Sequence, residues 1–183
     1  MPALVRFNWS GSLEAGRGAS SRTEMSLTLT TEDILTAFWR AFNSHDLDAV
    51  LSLLEEDVVL HAPAAPEPLV GKARVGAAWY LMFTFVAPDL AKEVVWTSVG
   101  ERSGACEVIE RGTMQVPPAM TQGGLWSDQR PYEVKMAVHF DLSEAGRISR
   151  IATYWDTGGL ARQLGVDIGA IFEIHRKSIG IMA

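Results

Sequence analysis

The spacing of apolar side chains changes from helical to strand-like along this chain, and the change restricts its fold. Helical spacing is seen in the first half, for example at Ile34, Leu35, Phe38 and Phe42. From about residue 90 onward, segments rich in valine, isoleucine, threonine and aromatic residues predict strands at 92–99, 105–116, 132–142 and 147–155. Helices followed by strands indicate an α+β domain, with the helices packed on one face of a mostly antiparallel sheet.

Three helices are expected before the main strands. Thr30 and Asp33 have the spacing of a capping box at the start of the first helix. Asp46 can cap a second, short helix, and a strand over 57–61 follows it. The third helix is predicted from Arg74 to Phe85, because Pro88 disfavours its continuation.

The length of 183 residues suits one domain with a hydrophobic core. Residues 1–24 contain scattered glycines and serines and are predicted to form a flexible N-terminal extension. The single domain is placed at 25–167 and a C-terminal tail at 168–183. The segment 117–131 holds three prolines and two consecutive glycines, so we expect a long loop of the kind that often covers a binding site.

Composition narrows the classes of partner. Apolar residues make up 48% of the chain and the net charge is −6, without a basic cluster, so we expect a cytoplasmic globular protein that binds neither nucleic acid nor membrane. The four histidines (His45, His61, His139 and His175) lie in separate elements, so no metal is expected. The glycines are dispersed and form no phosphate-binding loop before a helix, so no other cofactor is expected. Cys106 is interpreted as a buried apolar side chain.

Two motifs carry a family resemblance. The run Tyr154-Trp155-Asp156-Thr157-Gly158-Gly159-Leu160-Ala161 continues to Gly165, and Phe42-Asn43-Ser44-His45-Asp46-Leu47-Asp48 lies near the front. Together they resemble the SnoaL-like polyketide cyclases of the nuclear-transport-factor-2-like group, which includes ketosteroid isomerase. The resemblance covers about residues 30–165. It implies a curved sheet wrapped by three helices into a cone-shaped α+β barrel, an apolar pocket inside it and a homodimer formed through the outer face of the sheet.

The resemblance also shows where this chain departs from its relatives. The aspartate that polyketide cyclases use as a proton-transfer group corresponds to Thr153, whose hydroxyl is too weakly acidic to serve as a base near neutral pH. The base of ketosteroid isomerase corresponds to Ala62, and its hydroxyl-donating tyrosine corresponds to Phe38. Neither family mechanism therefore transfers unchanged.

Three residues are candidates for catalysis: His139, Thr153 and Glu110. The resemblance gives His139 the position of a pocket histidine, whereas strand alternation points it outward unless a bulge reverses the face. Glu107 and Glu110 face opposite sides of one strand, so only one of them can reach a cavity. Asp156 is interpreted mainly as a helix N-cap.

The pocket is predicted to be apolar, with few polar groups and a shape suited to a polycyclic or terpenoid ligand. Its expected wall and substrate-binding residues are Phe38, Phe42, Ala62, Trp79, Phe83, Ile151 and Trp155.

Two functions fit these observations. One is a cofactor-independent enzyme of the cyclase, isomerase or hydrolase type that acts on a hydrophobic polyketide- or steroid-like ketone. The alternative is a binding domain for a small hydrophobic molecule that has lost the family's acid and base. A purely structural dimer scaffold ranks third.

Overall fold

The computed structural model describes residues 29–115 and 129–180, with only the backbone at 174 and 177–180. The helices are α1 (Thr31–Asn43), α2 (Leu47–Ser52), α3 (Lys72–Leu81), α4 (Thr157–Leu164) and α5 (Ile168–Gly180), and a π-helical turn (Met82–Val86) continues α3. The strands are β1 (Leu54–His61), β2 (Leu69–Val70), β3 (Ala91–Val99), β4 (Ser103–Met114), β5 (Arg130–Leu142) and β6 (Ile148–Trp155).

The strands form one six-stranded sheet in the order β2-β1-β6-β5-β4-β3. The pair β1–β6 is parallel and the other neighbours are antiparallel. The predicted α+β class and the mostly antiparallel sheet are therefore confirmed. The sheet is mixed and open, with β2 and β3 at its edges, so its strands alone do not close into a barrel.

The predicted helix caps are present. Thr30 and Asp33 form a reciprocal capping box at α1. Asp46 accepts a hydrogen bond from the Ala49 amide at the start of α2. Asp156 accepts one from the Gly159 amide at 2.8 Å, which turns the chain from β6 into α4.

The core lies between the helices and the inner face of the sheet. Alternate residues of β5, from Tyr132 to Leu142, are buried there, as the strand period requires. Phe38 of α1 contacts an aromatic cluster at ring-centroid distances of 5.1–5.9 Å; its partners are Trp39, Phe42, Trp79 and Phe140. This cluster fixes α1 and α3 against the sheet.

Two parts of the chain differ from the sequence-based expectations. The third helix ends as a π-helical turn, in which the Ala87 amide donates to the Met82 carbonyl at 2.9 Å just before Pro88. The segment expected to be a C-terminal tail instead forms helix α5, whose Ile171 side chain is buried against the rest of the domain. The extension 1–24 and residues 117–128 of the expected loop lie outside the described residues, and Arg130 and Pro131 belong to β5.

No helix within residues 29–115 and 129–180 is both long and apolar enough to span a membrane.

Candidate functional site

A cavity of about 170 Å³ lies between the inner face of the sheet and the helices. Its walls come from α1, α3, the π-helical turn, α4, α5 and strands β1–β6. Most wall residues are apolar, including Phe42, Leu60, Trp79, Met82, Val86, Leu90, Met114, Val134, Met136, Trp155 and Ile171. Four side chains in the wall carry ionisable or hydroxyl groups: Lys92, Glu110, Thr153 and His175.

An ion pair lies in this apolar wall. Lys92 of β3 and Glu110 of β4 are register partners on adjacent strands. The distance from Lys92 Nζ to Glu110 Oε2 is 2.6 Å, and the two side chains are only 10% and 13% exposed. Removing two charges from water is costly, and their mutual attraction offsets that cost only when the geometry is good.

Tyr132 completes the environment of the carboxylate. Its hydroxyl donates a hydrogen bond of 2.9 Å to Glu110 Oε1, so both oxygens of Glu110 have a donor. Burial, and next the negative charge of Glu110, raise the pKa of Tyr132 far above its ordinary value. Tyr132 therefore stays a neutral hydroxyl donor and holds the carboxylate in place.

The Lys92 ammonium group has donor capacity to spare. Besides Glu110, Nζ lies 3.5 Å from the Met136 sulfur and 4.9 Å from the ring centroid of Phe42. An ammonium group carries three donors. One points to a carboxylate, the contact with sulfur is weak, and a remaining donor can be offered to a guest in the cavity.

His175 reaches the same cavity from α5. Its Nδ1 lies 3.0 Å from the Ile171 carbonyl oxygen, which can only accept a hydrogen bond. The neutral ring is therefore protonated at Nδ1, and Nε2 carries the lone pair. Burial lowers the pKa of His175, an effect that the hydrogen bond to Ile171 and the charge of Glu110 partly oppose.

Six of the predicted site residues line the cavity: Glu110, Thr153, Phe42, Ala62, Trp79 and Trp155. The Thr153 hydroxyl donates to the His61 carbonyl at 3.0 Å. That bond connects β6 to the end of β1 and uses the only hydroxyl hydrogen of Thr153, so this side chain can offer a guest only its lone pairs.

His139 does not line the cavity. The β4–β5 register is regular around it, so strand alternation places it on the outer face of the sheet, opposite the buried Val138 and Phe140. Its side chain is 41% exposed, and its Nδ1 lies 3.7 Å from Asp141 Oδ1. The bulge that would have turned it inward is absent between the described strands, since the irregularity in β5–β6 pairing occurs later, between Asp141 and Leu142.

Phe38, Phe83 and Ile151, which we expected in the wall, are buried elsewhere in the core. Phe38 lies within the aromatic cluster, and Phe83 stacks on His45 with ring centroids 4.5 Å apart. Ile151 is fully buried in β6. These side chains support the cavity without facing it.

Sequence reasoning missed Lys92, Tyr132 and His175. A signal existed for the first two, because strand alternation puts Lys92 on the face of Val94 and Tyr132 on the face of Val134 and Met136. No such signal existed for His175, whose helix lies beyond the two recognised motifs.

Residues 29–115 and 129–180 contain no group of three or more histidine, cysteine, aspartate or glutamate side chains arranged to hold a metal ion.

Comparison with known proteins identifies the family. Residues 35–151 match the SnoaL-like domain, so the chain belongs to the SnoaL-like family. No curated protein sequence matches the chain.

Solved structures support the fold. The chain is similar to a candidate polyketide cyclase from Pseudomonas putida KT2440, with 23% identity over 74% of this chain and 98% of that chain, and a TM-score of 0.62. It is similar to another from Silicibacter sp. TM1040, with 26% identity over 74% and 98% of the two chains and a TM-score of 0.58. An LEH-like epoxide hydrolase from M. tuberculosis shows 18% identity over 74% and 90%, with a TM-score of 0.57.

The first prediction concerns the ion pair. Lys92→Met leaves a buried carboxylate without its cation and should lower the free energy of unfolding by about 3–5 kcal/mol. The double variant Lys92→Met/Glu110→Gln should recover most of that loss, because the amide oxygen still accepts from Tyr132 and no charge remains. Urea denaturation of Lys92→Met, Glu110→Gln and the double variant measures the coupling free energy between the two side chains. Glu93→Gln, which breaks an exposed pair with Arg111, is the control and should cost no more than about 1 kcal/mol. Equal losses at the two pairs would contradict the prediction.

The second prediction concerns His175. Because burial lowers its pKa in the folded state, the unfolded chain binds a proton near its ordinary pKa of 6.5 while the folded chain does not. The contribution of neutral His175 to the free energy of unfolding is therefore complete above pH 6.5 and decreases as the pH falls below it. As the pH is lowered from about 7.5 to about 5, the free energy of unfolding should fall less in His175→Gln than in the wild type. Urea denaturation at each pH measures the free energy of unfolding of both proteins. The same pH dependence in the two would exclude this effect.

Proposed function

We propose that this protein is a cofactor-independent enzyme of the cyclase, isomerase or hydrolase type that transfers a proton next to the carbonyl group of a hydrophobic ketone. The observation that carries the proposal is the Lys92–Glu110 pair in the wall of an apolar cavity. Such a pair contributes little net stability compared with apolar side chains of similar size. An apolar cavity with a few convergent polar groups in its wall is the usual form of a small-molecule site.

Each group has a definite role in the proposed reaction. The remaining donor of the Lys92 ammonium binds the carbonyl oxygen of the substrate. The Glu110 carboxylate accepts a proton from the carbon beside that carbonyl, and the electron pair of the C–H bond moves to the oxygen as an enolate. Lys92 then faces a negatively charged oxygen, and the attraction is strong because the surroundings exclude water. Glu110 then returns the proton. In an isomerisation the carbonyl re-forms and a different carbon of the conjugated enolate takes the proton; in a cyclisation the enolate carbon attacks a second carbonyl, whose π electrons become an alkoxide that takes the proton.

The family supports the class of chemistry but not its residues. Candidate polyketide cyclases and an LEH-like epoxide hydrolase are similar in fold to this chain, so the fold is compatible with more than one reaction. In this chain, the proposed acid and base lie on β3 and β4. The family's aspartate position on β6 holds Thr153, whose hydroxyl is engaged with His61.

A binding domain without catalysis is the alternative. It is favoured by the apolar residues Ala62 and Phe38, which stand where ketosteroid isomerase has its base and its tyrosine. In that case the ion pair would orient a bound carbonyl compound without transferring its proton.

Exchange of carbon-bound hydrogen tests the enzymatic proposal without knowledge of the product. Acetophenone is incubated with the protein in D₂O, and loss of the methyl proton signal is followed by NMR. We expect exchange above the buffer rate, reduced about 10²–10³-fold in Lys92→Met, which removes the oxyanion donor. Glu110→Gln should reduce it about 10²–10⁴-fold, since it removes the base.

His139→Gln is the matched control, because His139 lies on the outer face of the sheet and should leave the rate unchanged. Binding of acetophenone by the wild type with exchange at the buffer rate would reject proton transfer and support the binding domain.

We also propose that the protein is a homodimer formed through the outer face of the sheet. Trp96, Glu107, Ala137 and Tyr154 form one row across β3, β4, β5 and β6 on that face. Trp96 and Tyr154 are 53% and 58% exposed. Two exposed aromatic side chains, with Glu107 and the small Ala137 between them, offer a surface that a second copy can match by two-fold symmetry.

Sedimentation velocity tests the dimer. Tyr154→Lys should shift the protein toward monomer, because it would bury a charge in the interface opposite Ala137, which cannot pair with it. Tyr80→Lys, which replaces a similarly exposed aromatic residue on α3, should not. A wild type that sediments as a monomer at all concentrations would refute the proposal.

A further inference from the structure

The cavity is small compared with the ligands that its family resemblance suggests. Its volume is about 170 Å³. An apolar protein cavity of about 150 Å³ accommodates benzene, whereas sites for drug-sized molecules measure about 300–1,000 Å³. The space therefore suits one ring with a short substituent, not a fused polycyclic skeleton.

Rigid groups set this limit. Phe42 and Trp79 close one side of the cavity, and both are held by the aromatic cluster of Phe38. Trp155 closes another side from β6. Phe42 and Trp79 pack on each other with ring centroids 5.6 Å apart, and Trp155 lies 6.4 Å from the ring of His175, so enlarging the cavity on these sides would separate these contacts.

The charges in the wall restrict the guest further. Lys92 and Glu110 neutralise each other, and both oxygens of Glu110 already accept a hydrogen bond. A negatively charged guest would compete with Glu110 for Lys92 and leave a carboxylate buried without its cation. A neutral guest with one acceptor oxygen uses the remaining Lys92 donor and leaves the pair intact.

We propose that the substrate or ligand is a neutral ketone built on a single ring, bound with its carbonyl oxygen at Lys92 and its ring between Trp79 and Trp155. This inference rests on the proposed function for the role of Lys92. It departs from the polycyclic ligand expected from the sequence.

Matched compounds separate size, charge and the carbonyl contact. Acetophenone, ethylbenzene, benzoate, 2-acetonaphthone and progesterone are titrated into the full-length protein by isothermal calorimetry. Acetophenone should bind most tightly. Ethylbenzene lacks the carbonyl oxygen, and benzoate has nearly the same shape as acetophenone but carries a negative charge. Each should therefore bind at least ~10-fold more weakly than acetophenone, a difference of ~1.4 kcal/mol in binding free energy. The two larger ketones should not bind.

Variants of wall residues give a second measurement. Ala78→Leu places a larger side chain in the cavity and should abolish acetophenone binding, whereas Met114→Ala enlarges the cavity and should admit 2-acetonaphthone. Lys92→Met should weaken acetophenone to the level of ethylbenzene and leave ethylbenzene unchanged. Circular dichroism and the urea midpoint of each variant identify any that fails to fold, and the wild-type ligand series is then decisive by itself.

The outcomes distinguish this inference from the proposed function. Tighter binding of progesterone or 2-acetonaphthone than of acetophenone overturns the single-ring ligand, even if a larger ketone undergoes exchange. Selective binding of acetophenone without hydrogen exchange upholds the ligand class and overturns only the proton transfer.

Discussion

The packing of α1 aromatic residues against the inner face of the sheet determines the interior of this protein. Phe38 contacts Phe140 on β5 and Trp79 on α3, so a single side chain joins the sheet and two helices. Edge-to-face contacts of this kind add to the large apolar area that aromatic side chains bury. Part of the space under the sheet is thereby filled. The cavity bounded by Phe42 and Trp79 is what the cluster leaves unoccupied.

The polar groups of the cavity have an arrangement that differs from the one expected of its relatives. Position 153 carries a threonine whose hydroxyl belongs to the β1–β6 connection. Charge appears instead on β3 and β4, where Lys92 and Glu110 pair across the strands and Tyr132 restrains the carboxylate. A shared fold therefore does not fix the strand from which ionisable side chains project into the cavity. Strand geometry requires only that such a side chain occupies one of the alternate positions that face the inside of the sheet.

The sequence predicted the fold class, the first helix, its cap and the four long strands, because each rests on periodicity or on local hydrogen bonding. It also placed Glu110 on the cavity side of β4 as one of two alternatives. The family resemblance placed His139 in the pocket, whereas strand alternation alone gave its correct face. Helix α5 was not predicted, since its burial depends on contacts with distant parts of the chain. The pairing of Lys92 with Glu110 depends on strand register, which neither motif nor composition determines.

Helix α5 has a consequence for how specificity can change within the family. It lies beyond residues 35–151, the part that matches the SnoaL-like domain, yet Ile171 and His175 form part of the cavity wall. The sheet and the aromatic cluster must satisfy one another, which makes them resistant to substitution. An appended helix that contacts mainly α4 and α3 is under weaker mutual constraint. A substitution at Ile171 or His175 should therefore reshape the cavity wall with less disturbance of the sheet than one at Phe42 or Trp79.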